Sequence, residues 1–352
     1  MQTLSYYNPV VQNDLDEIIA GNFLWNRLKH KSVLITGING MLAACMVYTL
    51  FHLNKKLNLN VKITGLARNR EKAEQLFSAM LDDINFEFLF QDVNEPLNCQ
   101  QNIDFIIHAA GSASAFAIVN DPVGTVKANT VGTFNIMELA RQKRAEKVLF
   151  TSSREVYGRT ENIPIISETD FGAIDPLESR SCYPESKRMA EAVLKAYQKQ
   201  FGINFVSVRI AHAYGPGMKL ENDGRIMSDL MSNIINNQDI TLKSTGEALR
   251  SFCYITDAVK AIFLTLLEGK NGEAYNIANE TEEISINDLA ALMITLRPEK
   301  KLKIKYEIPK KMEGYLNYRR TPLNTDKIER LGWQPTISLK EGIERTLNSF
   351  EK

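Results

Sequence analysis

TGINGMLA, running from Thr36 to Ala43, is the stretch on which the fold turns. It follows the apolar run Val33–Thr36 and opens a second apolar stretch, Met41–Leu53. A turn this tight needs glycine for positive φ and for close backbone approach, so Gly37 and Gly40 predict strand, turn and helix in immediate succession. The N-terminus of such a helix offers unpaired N–H groups and partial positive charge to a pyrophosphate. Asn39 and Met41 lie in the same turn. Ala43 stands where a third glycine often lies, and its methyl still permits close helix–strand packing. Taken alone, the spacing also describes a plain βα turn.

Working outward, Val61–Ala67 reads as a second strand followed by a charged helix, Glu71–Leu81. Phe86–Phe90, Phe105–Ala109, Lys147–Thr151 and Phe205–Arg209 are further short apolar runs. Helices are predicted over Pro122–Arg141 and from near Tyr183 onward. Short buried strands alternating with helices predict an α/β fold with a Rossmann-like, doubly wound parallel sheet. After residue 209 the rhythm loosens, and the C-terminal third reads as a smaller mixed α/β lobe for substrate. The expected division is an N-terminal extension at 1–30 with a short helix over Asp14–Ala20. A dinucleotide domain would span 31–208 plus about 238–268, and the smaller lobe about 209–237 plus 269–352.

Ligands of such sheets gather at the carboxyl ends of the strands. The second strand ends Gly65-Leu66-Ala67-Arg68, with no acidic residue to accept from a ribose 2′-OH. The cofactor is therefore read as NAD or NADP, with Arg68 leaning toward NADP. Asp92 and Val93 follow the third strand and could meet the adenine, while Ala109, Ala110 and Gly111 follow the fourth and let backbone approach the cofactor.

The chain has 352 residues, enough for about two domains. Its 42 Lys+Arg balance 42 Asp+Glu, so a nucleic-acid partner, which requires basic excess, is not expected. No apolar run reaches the roughly 18 residues of a membrane helix, and the first residues lack a basic n-region and an apolar h-region. Cys45, Cys99, Cys182 and Cys253 form no CxxC pair and read as reduced thiols of a cytoplasmic protein. The 4 histidines lack HExxH spacing, so no metal is expected. The neutral total conceals a basic segment at 297–320, where the substrate is expected to sit.

Tyr183-Pro184-Glu185-Ser186-Lys187 has Y-x-x-x-K spacing, which puts phenol and ammonium on one helix face. An ammonium beside a phenol lowers its pKa, making Tyr183 a candidate base. Thr151-Ser152-Ser153-Arg154-Glu155-Val156-Tyr157-Gly158 closes an earlier strand and should face the same cleft.

With these motifs the chain resembles the extended short-chain dehydrogenase/reductases that modify nucleotide sugars, the NAD-dependent epimerase/dehydratase family. The resemblance runs from about Ser32 to the C-terminus. It includes Asp121-Pro122-Val123-Gly124-Thr125 with Asn129, Tyr214-Gly215-Pro216-Gly217, Arg250-Ser251-Phe252 and Leu331-Gly332-Trp333-Gln334-Pro335. Within that family it looks most like the UDP-glucuronate decarboxylases, through Arg180-Ser181-Cys182-Tyr183, Asn222-Asp223-Gly224-Arg225 and Glu155 in S-x-E-V-Y-G.

The resemblance implies that Tyr183 and Ser153 act on the sugar 4-OH, that Lys187 holds the nicotinamide ribose, and that Glu155 positions substrate or assists proton movement at C5. It places Asn129 at the cofactor and Arg225 and Arg250 at the nucleotide sugar, with Arg320 assisting at the diphosphate. The C4 ketone formed can lead to decarboxylation, 4,6-dehydration or 4-epimerisation. The chain departs from the dehydratase pattern, in which an Asp-Glu pair follows the Thr/Ser, by having Arg154 before Glu155. Arg154 either recognises a carboxylate or phosphate or points to solvent. His212 replaces an Asn that normally touches substrate, and it either meets the sugar or packs. Lys243 lies in a loop that usually brings an apolar residue to the base. The resemblance also implies a homodimer paired through a four-helix bundle, with Ile136, Leu139, Ala192, Val193 and Ala196 as the apolar stripe. A reading of another class is a non-catalytic NAD(P)-binding sensor or interaction protein.

Overall fold

In the computed structural model, which describes residues 5–20, 24–160, 162–221, 223–308 and 321–351, the apolar runs form one parallel sheet. Its strands are β1 (Ser32–Thr36), β2 (Lys62–Ala67), β3 (Phe86–Phe90), β4 (Phe105–His108), β5 (Lys147–Ser153), β6 (Phe205–Ile210) and a seventh, Glu273–Ile277. The order across the sheet is seventh strand, β6, β5, β4, β1, β2, β3. The order therefore reverses between β1 and β4, where a crevice opens at the strands' carboxyl ends.

Alternate side chains of one strand feed different faces. Val33 and Ile35 join a core with helices α1 (Pro9–Ile19) and α2 (Met41–Leu57), whereas Leu34 joins a second core on the opposite face. That second core is closed by Ile136, Met137 and Leu139 of α6 and by Ala190, Val193 and Leu194 of α7. The helices leading there are α3 (Arg70–Leu76), α4 (Ala115–Asn120), α5 (Pro122–Asn129), α6 (Val131–Lys143) and α7 (Cys182–Phe201). The single helix expected over Pro122–Arg141 is thus two, separated at Thr130, which has φ −99° and ψ −70°.

The smaller lobe contains α8 (Ile226–Ile235) and three two-stranded pairs. Its strands are β7 (Ala213–Tyr214), β8 (Ile240–Leu242), β9 (Leu249–Ser251) and β10 (Cys253–Tyr254), and α9 (Ile255–Glu268) returns to the large sheet. The seventh sheet strand, Glu273–Ile277, is β11 in chain order. β12 (Glu283–Ser285), α10 (Ile286–Thr295), β13 (Ile304–Tyr306), α11 (Asp326–Glu329) and α12 (Leu339–Phe350) complete the chain. β11 adds a strand to the large sheet beside β6, and β8 pairs with β13.

The N-terminal extension is part of the core. Leu15, Ile18 and Leu28 are fully buried, and α1 packs on α2, α9 and α12. The helix starts earlier than the expected Asp14 because Asn8 caps it, accepting from the Val10 and Val11 amides, and Pro9 fits its first position. Buried Asp14 accepts from the Tyr254 hydroxyl at 2.7 Å and from Arg345 of α12 at 2.8 Å.

Candidate active site

Gly37 has φ +69°, and a Cβ there would lie 2.8 Å from the Ala110 Cα and 2.9 Å from the Ala109 oxygen. Only glycine lets β1 and β4 approach this closely at the crevice. Thr36 Oγ1 fixes the approach by accepting from the Ala109 amide at 3.0 Å and the Ala110 amide at 2.9 Å. Gly40 caps α2 without a side-chain hydrogen bond, so the N-terminal amides of a 17-residue helix open at the crevice beside Met41. Asn39 Nδ2 bonds the Asn69 carbonyl at 3.1 Å, while its buried Oδ1 has no protein partner.

Gly111, at φ +127°, would place a Cβ 2.5 Å from Asn129 Oδ1. Asn129 is fully buried and donates to Ser186 Oγ at 2.9 Å, and its Oδ1 is likewise unpartnered. A dinucleotide fits these features: an uncapped helix N-terminus for pyrophosphate, glycine-lined walls, and buried carbonyl oxygens awaiting donors. Val93 is buried against Gly132, and its carbonyl accepts from Asn135 at 2.8 Å. Arg68, well exposed, lies 3.4 Å from Asp92, so the two residues expected at the adenosine end face each other.

α7 brings Tyr183 and Lys187 under the end of β5. Tyr183 is buried, and burial pushes its phenol up, with the Glu155 charge adding. A hydrogen bond to Ser153 and the charges of Arg180 and Arg225 pull it back. Lys187 is also buried, and desolvation brings its ammonium down to about 7. Its Nζ donates to the Thr151 carbonyl at 2.8 Å and stands 6.0 Å from the Tyr183 ring centroid. The charges of Arg180 and Arg225 also reach the phenol.

Ser153 Oγ accepts from the Glu155 amide at 3.2 Å, and Glu155 is held by Arg180 at 2.8 Å. Arg154 does not point freely to solvent, since its Nη2 donates to the Thr321 carbonyl at 3.0 Å. Arg225 forks onto buried Asp223 at 2.5 and 3.0 Å. His212 sits at φ +46° with its ring 5.8 Å from that of Phe252. Lys243 is exposed, and its charge reaches Asp229. Arg250 lies on β9 and donates to the Leu249 carbonyl at 2.7 Å. Arg320 lies outside the described residues.

Beneath the strand ends Arg209 forms a buried pair with Glu191 at 2.6 Å and bonds the Tyr157 hydroxyl at 3.0 Å. The basic segment at 297–320 is partly structural: Arg297 and Lys300 pair with Glu351, and Lys305 with Asp239. Two residues that sequence reasoning left out of the site are Arg180 and Asp223, although both lie in motifs quoted above. The signal for Arg180 was its place one helical turn before Tyr183.

The sequence profile of the NAD dependent epimerase/dehydratase family matches residues 33–278. The chain belongs to this family. UDP-glucuronic acid decarboxylase 6 of Arabidopsis thaliana is 31% identical over 88% of this chain and 86% of its own length. UDP-glucuronic acid decarboxylase 1 of Xenopus tropicalis is 32% identical over 92% of this chain and 72% of its own length. The fold matches the Thermotoga maritima UDP-glucose 4-epimerase, solved with UDP-glucose, at TM-score 0.75 and 21% identity, covering 91% of this chain and 98% of that one. As a family member the chain is an NAD-dependent enzyme of the epimerase/dehydratase type, the family that its motifs resemble. Among the described residues no helix is long and apolar enough to cross a membrane, and no cluster of His, Cys, Asp and Glu could hold a metal.

Proposed function

We propose that this chain is a nucleotide-sugar decarboxylase acting on a UDP-glucuronate-like substrate. The observation that carries the reading is Tyr183 and Lys187 buried together on α7, the Lys187 Nζ bonded to the end of β5 just before Ser153, with Arg154 where a dehydratase would need a second acid. The named decarboxylase relatives support it. Ser153 and Tyr183 hold the sugar 4-oxygen between them, and Tyr183 takes the proton of that hydroxyl. Held in the cleft, NAD would supply the hydride acceptor for C4 and the donor for its re-reduction. Gly37, Gly40 and Met41 cradle the pyrophosphate, Asn39 and Asp92 the adenosine end, and Asn129 and Lys187 the nicotinamide ribose. The C4 ketone lies β to the C6 carboxylate, so the electrons of the C5–C6 bond can enter the carbonyl as CO2 leaves. Tyr183 returns its proton to O4 when the ketone is reduced. Arg250 suits the diphosphate with its planar guanidinium, and Arg225, oriented by Asp223, adds positive charge there.

Mass analysis of products from a panel of UDP-, dTDP-, GDP- and CDP-sugars tests the reading. Loss of one CO2 from a uronate is expected. Loss of water would make the enzyme a 4,6-dehydratase, an unchanged mass with inverted C4 a 4-epimerase, and the absence of any conversion with intact cofactor binding a non-catalytic sensor.

We also infer a homodimer. The stripe expected to pair copies is corrected in part: Ile136, Leu139 and Val193 are buried in the second core. The exposed apolar face lies beside them, at Val123 of α5, Phe134 of α6, and Met189 and Phe201 of α7. Ala192 and Ala196 are also exposed. Packing α5 and α7 against a second copy in a four-helix bundle would cover it. The four cysteines are free thiols, which suits a cytoplasmic enzyme.

A further inference from the structure

The two nitrogen tips of Arg180 close on the two oxygens of Glu155, Nη1 to Oε2 at 2.8 Å and Nη2 to Oε1 at 3.1 Å. The partners come from separate single turns of 3₁₀ helix, Arg154–Tyr157 after β5 and Ser179–Ser181 before α7. Each side chain is about one-third exposed, so the pair is open to solvent on one side. The backbone of Glu155 is itself tied to Ser153, and both charges of the pair act on the Tyr183 phenol, in opposite senses. The pair therefore stands within the reacting region rather than on the outer surface.

A carboxylate whose two oxygens accept from one guanidinium is fixed in the plane of the fork, with its basic lone pairs committed. That matters at a C4 ketone, which acidifies the C5 proton as readily as it loosens the C6 carboxylate. We propose that Arg180 is a positioning residue that withholds Glu155 from the C5 proton, so that the ketone partitions toward loss of CO2. The proposal rests on the decarboxylase reading above. With the fork closed, the C5–C6 bond breaks, its electron pair enters the C4 carbonyl to give an enolate, CO2 departs, and C5 takes a proton from water. With the fork open, Glu155 removes the C5 proton, the C5–H electron pair enters the same carbonyl, and C6 is retained. Reprotonation of that enolate from solvent restores the C4 ketone, and return of the hydride to C4 then gives back the starting uronate with an exchanged hydrogen at C5.

The test runs wild type, Arg180→Gln, Arg180→Lys and the double variant Arg180→Gln/Glu155→Gln in D2O. Recovered substrate is analysed for deuterium at C5 alongside the pentose product. Wild type should show no deuterium in recovered substrate. Arg180→Gln should raise the ratio of exchange to decarboxylation by about tenfold or more. Arg180→Lys, which keeps a charge but not the fork, should fall between, and it carries the test if the glutamine variant does not fold. The double variant should lose the exchange. A wild-type ratio in both single variants overturns the proposal, as does exchange that persists without the Glu155 carboxylate. If wild type converts no uronate at all, the decarboxylase reading falls, a result recognisable before any variant is measured.

Discussion

Lys187 Nζ donates to the Thr151 carbonyl at 2.8 Å while standing 6.0 Å from the centre of the Tyr183 ring. The lysine is thus anchored to the end of β5, and the phenol depends on Ser153 and on arginines across the cleft for relief of its burial. Tyr183→Phe removes the acid–base group and leaves the cofactor cradle of Gly37, Gly40 and Asn129 untouched. Turnover should fall by about 10²–10⁴-fold with nearly normal NAD binding by titration calorimetry. Unchanged turnover would show that another group takes the proton of the 4-hydroxyl.

Arg68 and Asp92 face each other at the adenosine end. We expect NADP to bind at least as tightly as NAD, and Arg68→Ala to weaken NADP by about tenfold with little effect on NAD, as loss of one phosphate contact would. A wild-type enzyme that clearly prefers NAD would mean that Asp92, not Arg68, meets the ribose hydroxyls.

His108 is fully buried between Thr36 and Thr133, at 2.9 and 3.2 Å, and burial, aided by the Lys187 charge, brings its pKa down to about 3. Between that value and about 6.5 the unfolded chain binds a proton that the folded protein does not. Stability should therefore rise with pH across this window and be lost as pH falls through it. Melting temperatures of wild type and His108→Gln from pH 7 to 4 check this: the variant should show the shallower decline. Parallel curves would remove His108 as the cause.

The exposed face of Val123, Phe134, Met189 and Phe201 predicts that a charged substitution separates the copies. Light scattering should give a dimer mass for wild type and a monomer mass for Val123→Asp with Phe134→Asp. A monomeric wild type would dispose of the bundle.

Leu15 of the N-terminal helix is fully buried in the first core. Leu15→Ala should cost about 2–5 kcal/mol in denaturant unfolding, the range for a large-to-small change in a packed interior. A loss near zero would show that α1 contributes little to the folded domain.

Much of this architecture was legible because its signals are local. The turn at Gly37, the apolar strands and the Tyr183–Lys187 spacing each lie within a few residues, and each dictates its own geometry. What escaped reading depended on contacts distant in sequence. The helix α1 reads as part of an extension because its buried face meets α2, α9 and α12, all distant in sequence. Ile136 and Val193 showed helical spacing, but spacing does not say whether an apolar face meets its own sheet or another molecule. Glu155 was legible as a site residue, yet its pairing with Arg180, 25 positions away, is a contact that no local pattern announces.

The contact of Asp14 with Arg345 spans 331 positions of sequence. On a ribosome adding about 5–20 residues each second, α1 emerges roughly 20–60 s before α12 can cover it. Throughout that interval Val11, Leu15 and Ile18 have no complete surface to settle on. The nascent chain must carry an apolar helix in waiting, and the first core cannot close until α12 has been made.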